Sequence, residues 1–198
     1  FGCHTFDTPV WALDLDPPTV VECLYRTATL DGLIPTSSHI RYHFSAKGKR
    51  GPVVLDWFDG PGGWIRAGAF ETFGVDKDEL NGNACLMLGT KGILGCGTHA
   101  GQPTLYPEPV QSAWQASPPP KTSARVQGGP FREWMRGIKG EGPEPASNFS
   151  VSANLTEIIL LGVLAQRFNT RPGPRSSTAP GVWPTMANGP RALREWVL

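Results

Sequence analysis

Excess charge is the first thing this sequence lacks. Its 18 Lys and Arg residues stand against 17 Asp and Glu, a formal net charge of +1, so no global field draws the chain to nucleic acid or to an anionic membrane. Paired cysteines are missing too. Cys3, Cys23, Cys85 and Cys96 are scattered without a C-x-x-C spacing, which excludes a zinc ribbon or a thioredoxin motif and leaves reduced, buried thiols as the expectation. The apolar run at residues 158–164 covers 7 positions, whereas a membrane span needs about 20. No internal repeat is visible. The partners expected on these grounds are neither nucleic acid nor membrane.

What the chain has in quantity is turn-forming residues. Gly (24) and Pro (20) account for 44 of 198 positions, beside 39% hydrophobic residues, which points to a sheet-rich soluble domain with long ordered loops rather than a helical bundle. Near the start, Phe6, Val10 and Leu13 recur at helical spacing until Leu15-Asp16-Pro17-Pro18 ends the pattern, so a helix is expected over 2–13. His4 and Asp7 share one face of it. Three segments rich in β-branched and aromatic residues follow, 19–27, 38–46 and 52–59, and read as antiparallel strands. In the second, His39, Arg41 and His43 alternate with Ile40, Tyr42 and Phe44, which makes one face wet and the other packed. Residues 84–88 and 92–96 flank Gly89-Thr90-Lys91 and read as a hairpin that extends the same sheet.

Residues 101–128 carry little periodicity and are expected as an extended loop. A helix over 130–139 is predicted from Phe131, Trp134, Met135 and Ile138. Another is predicted over 155–168, with Asn154 as its cap and Glu157 three residues on; being apolar nearly all round, it is expected to be buried. From Asn169 onward Pro, Gly and Ser dominate, giving an irregular extension over 169–198 with one weak helix near 191–197. The whole predicts an α+β fold: a largely antiparallel open sheet with the helices at 2–13, 130–139 and 155–168 on one face, in a domain spanning 1–168.

Several residues invite chemistry, and each has a plainer alternative. His39 and His43 lie about 13 Å apart if the segment is a strand at roughly 3.3 Å per residue, too far to share a metal ion; no metal is expected. Asp76-Lys77-Asp78-Glu79 opens like a calcium loop but lacks the glycine and the distal glutamate, so it reads as a solvated turn or helix start. Trp57 shares a strand face with Val53 and Leu55 and reads as core, while Trp64, in a Gly-rich loop, is the better candidate for touching a ligand. Asp7 either supports His4 or favours the helix start through the dipole.

Five stretches, in order, resemble the bacterial branch of the Gfo/Idh/MocA oxidoreductases, specifically the C-terminal half. They are Gly2-Cys3-His4-Thr5-Phe6-Asp7 with Trp11-Ala12-Leu13, the strand Val54-Leu55-Asp56-Trp57-Phe58-Asp59-Gly60, and the hairpin Leu88-Gly89-Thr90-Lys91-Gly92. The others are Phe131-Arg132-Glu133-Trp134 with Pro145-Ala146-Ser147-Asn148-Phe149, and Leu155-Thr156-Glu157 with Leu160-Leu161-Gly162. The resemblance implies a sheet domain that closes over a sugar, polyol or related hydroxyl compound, with NAD or NADP held by an N-terminal Rossmann domain. It also implies a homo-oligomer formed through the open sheet face, and a His4 that bonds or relays the proton of the reacting hydroxyl, as an imidazole titrating near neutrality can.

The acidic residue that the family's motif carries four positions before the histidine would fall ahead of Phe1, and its Lys belongs to the other domain. No G-x-G-x-x-G follows a strand anywhere in these residues, so this chain alone is expected neither to hold the cofactor in the family's way nor to turn over. An opening on Phe1 rather than Met reads as a cut, and an export signal would lie upstream of it, leaving cytoplasm and periplasm both open. The competing reading is a non-catalytic carbohydrate-binding or assembly module, or a relic of a broken gene.

Overall fold

The computed structural model describes residues 2–30, 32–60, 70–123, 125–168 and 181–184. In chain order its elements are α1 (Gly2–Ala12), β1 (Val20–Arg26), β2 (Ser38–Phe44), β3 (Val53–Asp59), β4 (Cys85–Leu88), β5 (Ile93–Cys96), β6 (Thr104–Tyr106), α2 (Glu108–Ala116), α3 (Gly129–Lys139), α4 (Phe149–Phe168) and β7 (Gly181–Pro184), with short 3₁₀ turns between them. The fold is α+β, with two antiparallel sheets of order β3-β2-β1-β7 and β4-β5-β6. The chain forms two compact units, Phe1–Arg66 with Thr156–Leu198, and Ala67–Leu155.

The first unit is organised by the alternation in β2. Ser38, Ile40, Tyr42 and Phe44 are buried while His39, Arg41 and His43 are only partly so, because successive side chains of a strand point to opposite faces. The register carries that division across the sheet: Ile40 pairs with Trp57 and Cys23, and Tyr42 with Leu55 and Val21. Leu24 is the extra residue of a bulge in β1, which absorbs one position and brings Tyr25 opposite His39. β7, drawn from the stretch expected to be irregular, closes the other side of β1 through Val21↔Trp183 and Glu22↔Val182. The weak helix near 191–197 lies outside the described residues.

Two helices cover the apolar face. Phe6 of α1 meets Tyr42 edge-on at 5.2 Å and Trp57 at 5.0 Å, and Val10 and Leu15 are buried beside it. Trp57 is thus packing, as its strand position implies. α4 turns Ile158, Gly162, Ala165 and Gln166 inward. Its opposite side leaves Leu160 and Phe168 exposed, so the expectation of a helix buried all round is corrected. Sequence hydropathy sees composition, whereas burial depends on which side meets the sheet. By length and composition α4 could cross a membrane, but its inward face is that of a core helix. At its end the Gln166 amide Nε2 donates to Ser38 Oγ across 2.7 Å in a buried site. Gln166→Leu should therefore lower the unfolding free energy by about 1–2 kcal/mol by stranding the serine hydroxyl, and Ser38→Ala in that background should recover part of it; urea unfolding of the single and double variants checks both.

The start of α4 also differs from expectation. It lies at Phe149, with Asn148 rather than Asn154 as the cap: Asn148 Oδ1 accepts from Val151 N at 3.0 Å, and the Ser152 hydroxyl donates to Asn148 O at 2.7 Å. The polar, small residues Ser150, Ser152 and Ala153 hide this first turn from a hydropathy pattern.

In the second unit the expected hairpin forms as β4 and β5, but it builds a separate sheet rather than extending the first. β5 takes β6 as its other neighbour, and β6 comes from the segment read as a loop. The approach depends on Gly92, where a Cβ would meet the Tyr106 carbonyl oxygen at 2.5 Å. α2 then folds back, Gln111 Oε1 accepting from Leu105 N at 2.9 Å. Elements of three and nine residues are too short to leave a periodic signal. Leu80 and Ile93 are fully buried at the centre of this unit. The Asp76 segment is a helix start as expected: Asp76 accepts from Asp78 N, and Glu79 accepts from Asp76 N in a capping box. α3 was expected on the sheet of the first unit; it belongs to the second, and its apolar residues are exposed. None of the four cysteines is in a disulfide, but only Cys23 and Cys96 are buried; Cys3 is exposed and Cys85 intermediate. Burial pushes the Cys85 thiol up to about 12, which keeps it unreactive near neutrality.

Candidate functional site

The open face of the β3-β2-β1 sheet carries a network that the strand registers assemble. Glu22, Arg41 and Asp56 stand side by side, as do Tyr25, His39 and Phe58 one step along. Arg41 grips Asp56 with two parallel bonds, Nε to Oδ1 at 2.8 Å and Nη2 to Oδ2 at 3.0 Å, the fork geometry a guanidinium makes with a carboxylate. His39 Nε2 reaches the same Oδ1 at 2.8 Å. A carboxylate only accepts, so that ring nitrogen carries the proton. The His39 ring lies on Phe58 with centroids 4.2 Å apart. At the other end His43 Nε2 meets Glu22 Oε2 at 2.5 Å.

The electrostatics follow from these contacts. Burial pushes the Asp56 carboxyl up, but hydrogen bonds from His39 and Arg41, together with their charges, outweigh it and hold the group at about 2. The Asp56 hydrogen bond in turn raises Arg41 above its ordinary value. Asp56 is therefore an anion at any physiological pH, and it fixes the tautomer and plane of His39. An imidazole so held has its second ring nitrogen left for a proton or a donor, the arrangement used to orient a histidine for acid–base work or for an interface.

His4 and Asp7, expected from the sequence as site residues, fall elsewhere, while His39 and His43, weighed there only as metal ligands, are in the network. His4 and Asp7 are exposed on α1, whose buried residues Phe6, Pro9 and Val10 pack on the Tyr42 and Trp57 side. The His39, Arg41 and His43 face is thus across the sheet from them. Trp64 lies outside the described residues. Glu22 and Asp56 are the members that sequence reasoning missed. The available signal was the acidic residue at an outward position of each strand flanking β2, opposite its cations. His39 and His43 turn to different carboxylates, and among the described residues no group of three His, Cys, Asp or Glu side chains is disposed to hold a metal ion.

The Rossmann mode of dinucleotide binding uses a parallel β-turn-α unit with a glycine-rich first turn, and the strand pairs among the described residues are antiparallel. The described residues do not fit that mode of holding the cofactor. Compared with known proteins, the chain matches no family model, no curated protein and no solved structure.

Proposed function

We propose that the chain is the substrate-side part of an NAD(P)-dependent oxidoreductase of the Gfo/Idh/MocA kind, acting on a sugar, a polyol or a related hydroxyl compound, with the nucleotide held by a segment outside these residues. The observation that carries this reading is α1. A helix opening on Cys3-His4-Thr5-Phe6-Asp7 anchors to an antiparallel sheet through Phe6 and leaves His4 exposed in its first turn. His4 would then take or return the proton of the reacting hydroxyl. The sheet face opposite α1 is polar, and its charges are paired within one chain, which suits a hydrated interface between copies better than a core.

The test is His4→Ala in the natural full-length protein, assayed with both nucleotides against a panel of sugars and polyols. Turnover should fall about a hundredfold or more with nucleotide affinity unchanged. Turnover equal to the parent's ends the assignment. The second reading, a non-catalytic binding or assembly module, is favoured by one observation: the ordered network of Arg41, Asp56 and Glu22 with His39 and His43 lies across the sheet from α1. That reading expects no nucleotide-dependent oxidation by the parent protein at all.

A further inference from the structure

The geometry points to α3 as a docking helix for an anionic lipid surface. Phe131, Trp134, Met135 and Ile138 fall within an arc of about 100° on this helix, and all are bare, at 88%, 45%, 53% and 71% exposed. Such a stripe ordinarily faces a core. Here the other side of the helix does the packing: Gly137 is so close to Pro145 that a Cβ would meet its Cδ at 2.8 Å, and Glu133 Oε1 accepts from Ala146 N at 3.3 Å. Phe149, itself exposed, stands edge-on to Trp134 at 6.0 Å and widens the apolar patch.

Charge identifies the occupant. Lys139, Arg132 and Arg136 follow directly on one flank of the stripe, and among the described residues none of them has a carboxylate partner. An apolar arc of Phe, Trp, Met and Ile beside a row of unneutralised cations is the pattern of a helix lying in the plane of a membrane interface. The rings enter the acyl boundary, and the Arg132 and Lys139 side chains reach up to lipid phosphates, while Arg136, whose Nη2 donates to Gln127 O at 2.9 Å, adds its charge from beside them. A chain of net charge +1 has no global attraction to such a surface, so the contact is a local property of this helix. It is independent of the oxidoreductase reading.

Flotation of the full chain with phosphatidylcholine vesicles containing increasing phosphatidylserine tests this directly. Binding should appear only with the anionic lipid, weaken with added salt, and fall about fivefold for each charge removed in Arg132→Gln and Lys139→Gln. Phe131→Ser with Ile138→Ser should abolish it, and since these side chains are already exposed the variant should keep the parent's circular dichroism and thermal midpoint. Equal binding to neutral vesicles, or none to anionic ones, overturns the proposal. So does a parent dimer in sedimentation equilibrium that the Phe131→Ser, Ile138→Ser variant dissolves, because a second copy would then be the occupant.

Discussion

Gly162→Val should destabilise the first unit by about 3 kcal/mol or more, the upper range of overpacking effects. Gly162 lies on the inward side of α4, and any Cβ built there runs into the Tyr42 hydroxyl. Tyr42 has no room to retreat, being 2% exposed and wedged edge-on against Phe6. Valine has a better helix propensity than glycine by a few tenths of a kcal/mol, which makes a net loss the more telling. Gly162→Ala should cost less, and Tyr42→Phe, by removing the atom that clashes, should recover most of the alanine variant's loss. A double-mutant cycle on urea midpoints gives that coupling. If Gly162→Val unfolds at the parent's midpoint, α4 does not pack on β2 as described.

Asp56→Ala is the second large effect, about 3 kcal/mol, because it leaves Arg41 and His39 facing each other without the anion that reconciles them. The side chain is 21% exposed, so the loss belongs at the lower end of the range for breaking a buried pair. Asp56→Asn keeps the shape and one acceptor and should cost less. The pH dependence carries the same information. The folded carboxyl titrates at about 2 against an ordinary 3.8, so between those values the unfolded chain binds more protons and stability rises with pH. The contribution is fully present above about pH 4 and disappears as pH falls through about 2. In the parent, the unfolding free energy should therefore drop across that acid window, while the alanine variant, already lacking the term, should drop less. Identical acid profiles for the two proteins sink the network.

The strands and the hairpin were legible because their signals are local. Val20–Arg26, Ser38–Phe44 and Val53–Asp59 lie within the segments predicted from β-branched and aromatic content, and the two-residue period of His39, Arg41 and His43 marks the wet face. α1 and α3 were legible for the same reason, since Phe6 with Val10, and Phe131 with Trp134, Met135 and Ile138, repeat at helical spacing. The candidate site was half legible. Its cations stood out on β2, but Glu22 and Asp56 sit 15 to 21 residues away from their partners and meet them only through the strand registers.

By itself, then, the sequence determined α1, α3, the body of α4 and the strands β1 to β5, which side of β2 is polar, and that no excess charge governs the molecule, because these depend on residues within a few positions of one another; β6, β7 and α2 it did not mark. Tertiary structure decided that β5 takes β6 and not the first sheet, since Gly92 admits the Tyr106 backbone. It decided which side of α4 is buried, since Gly162 and Gln166 are what meet Tyr42 and Ser38. It also decided that α3 packs by Gly137 and turns its apolar stripe outward. Each is a choice of partner across the chain, set by steric fit and register, and no local period encodes it.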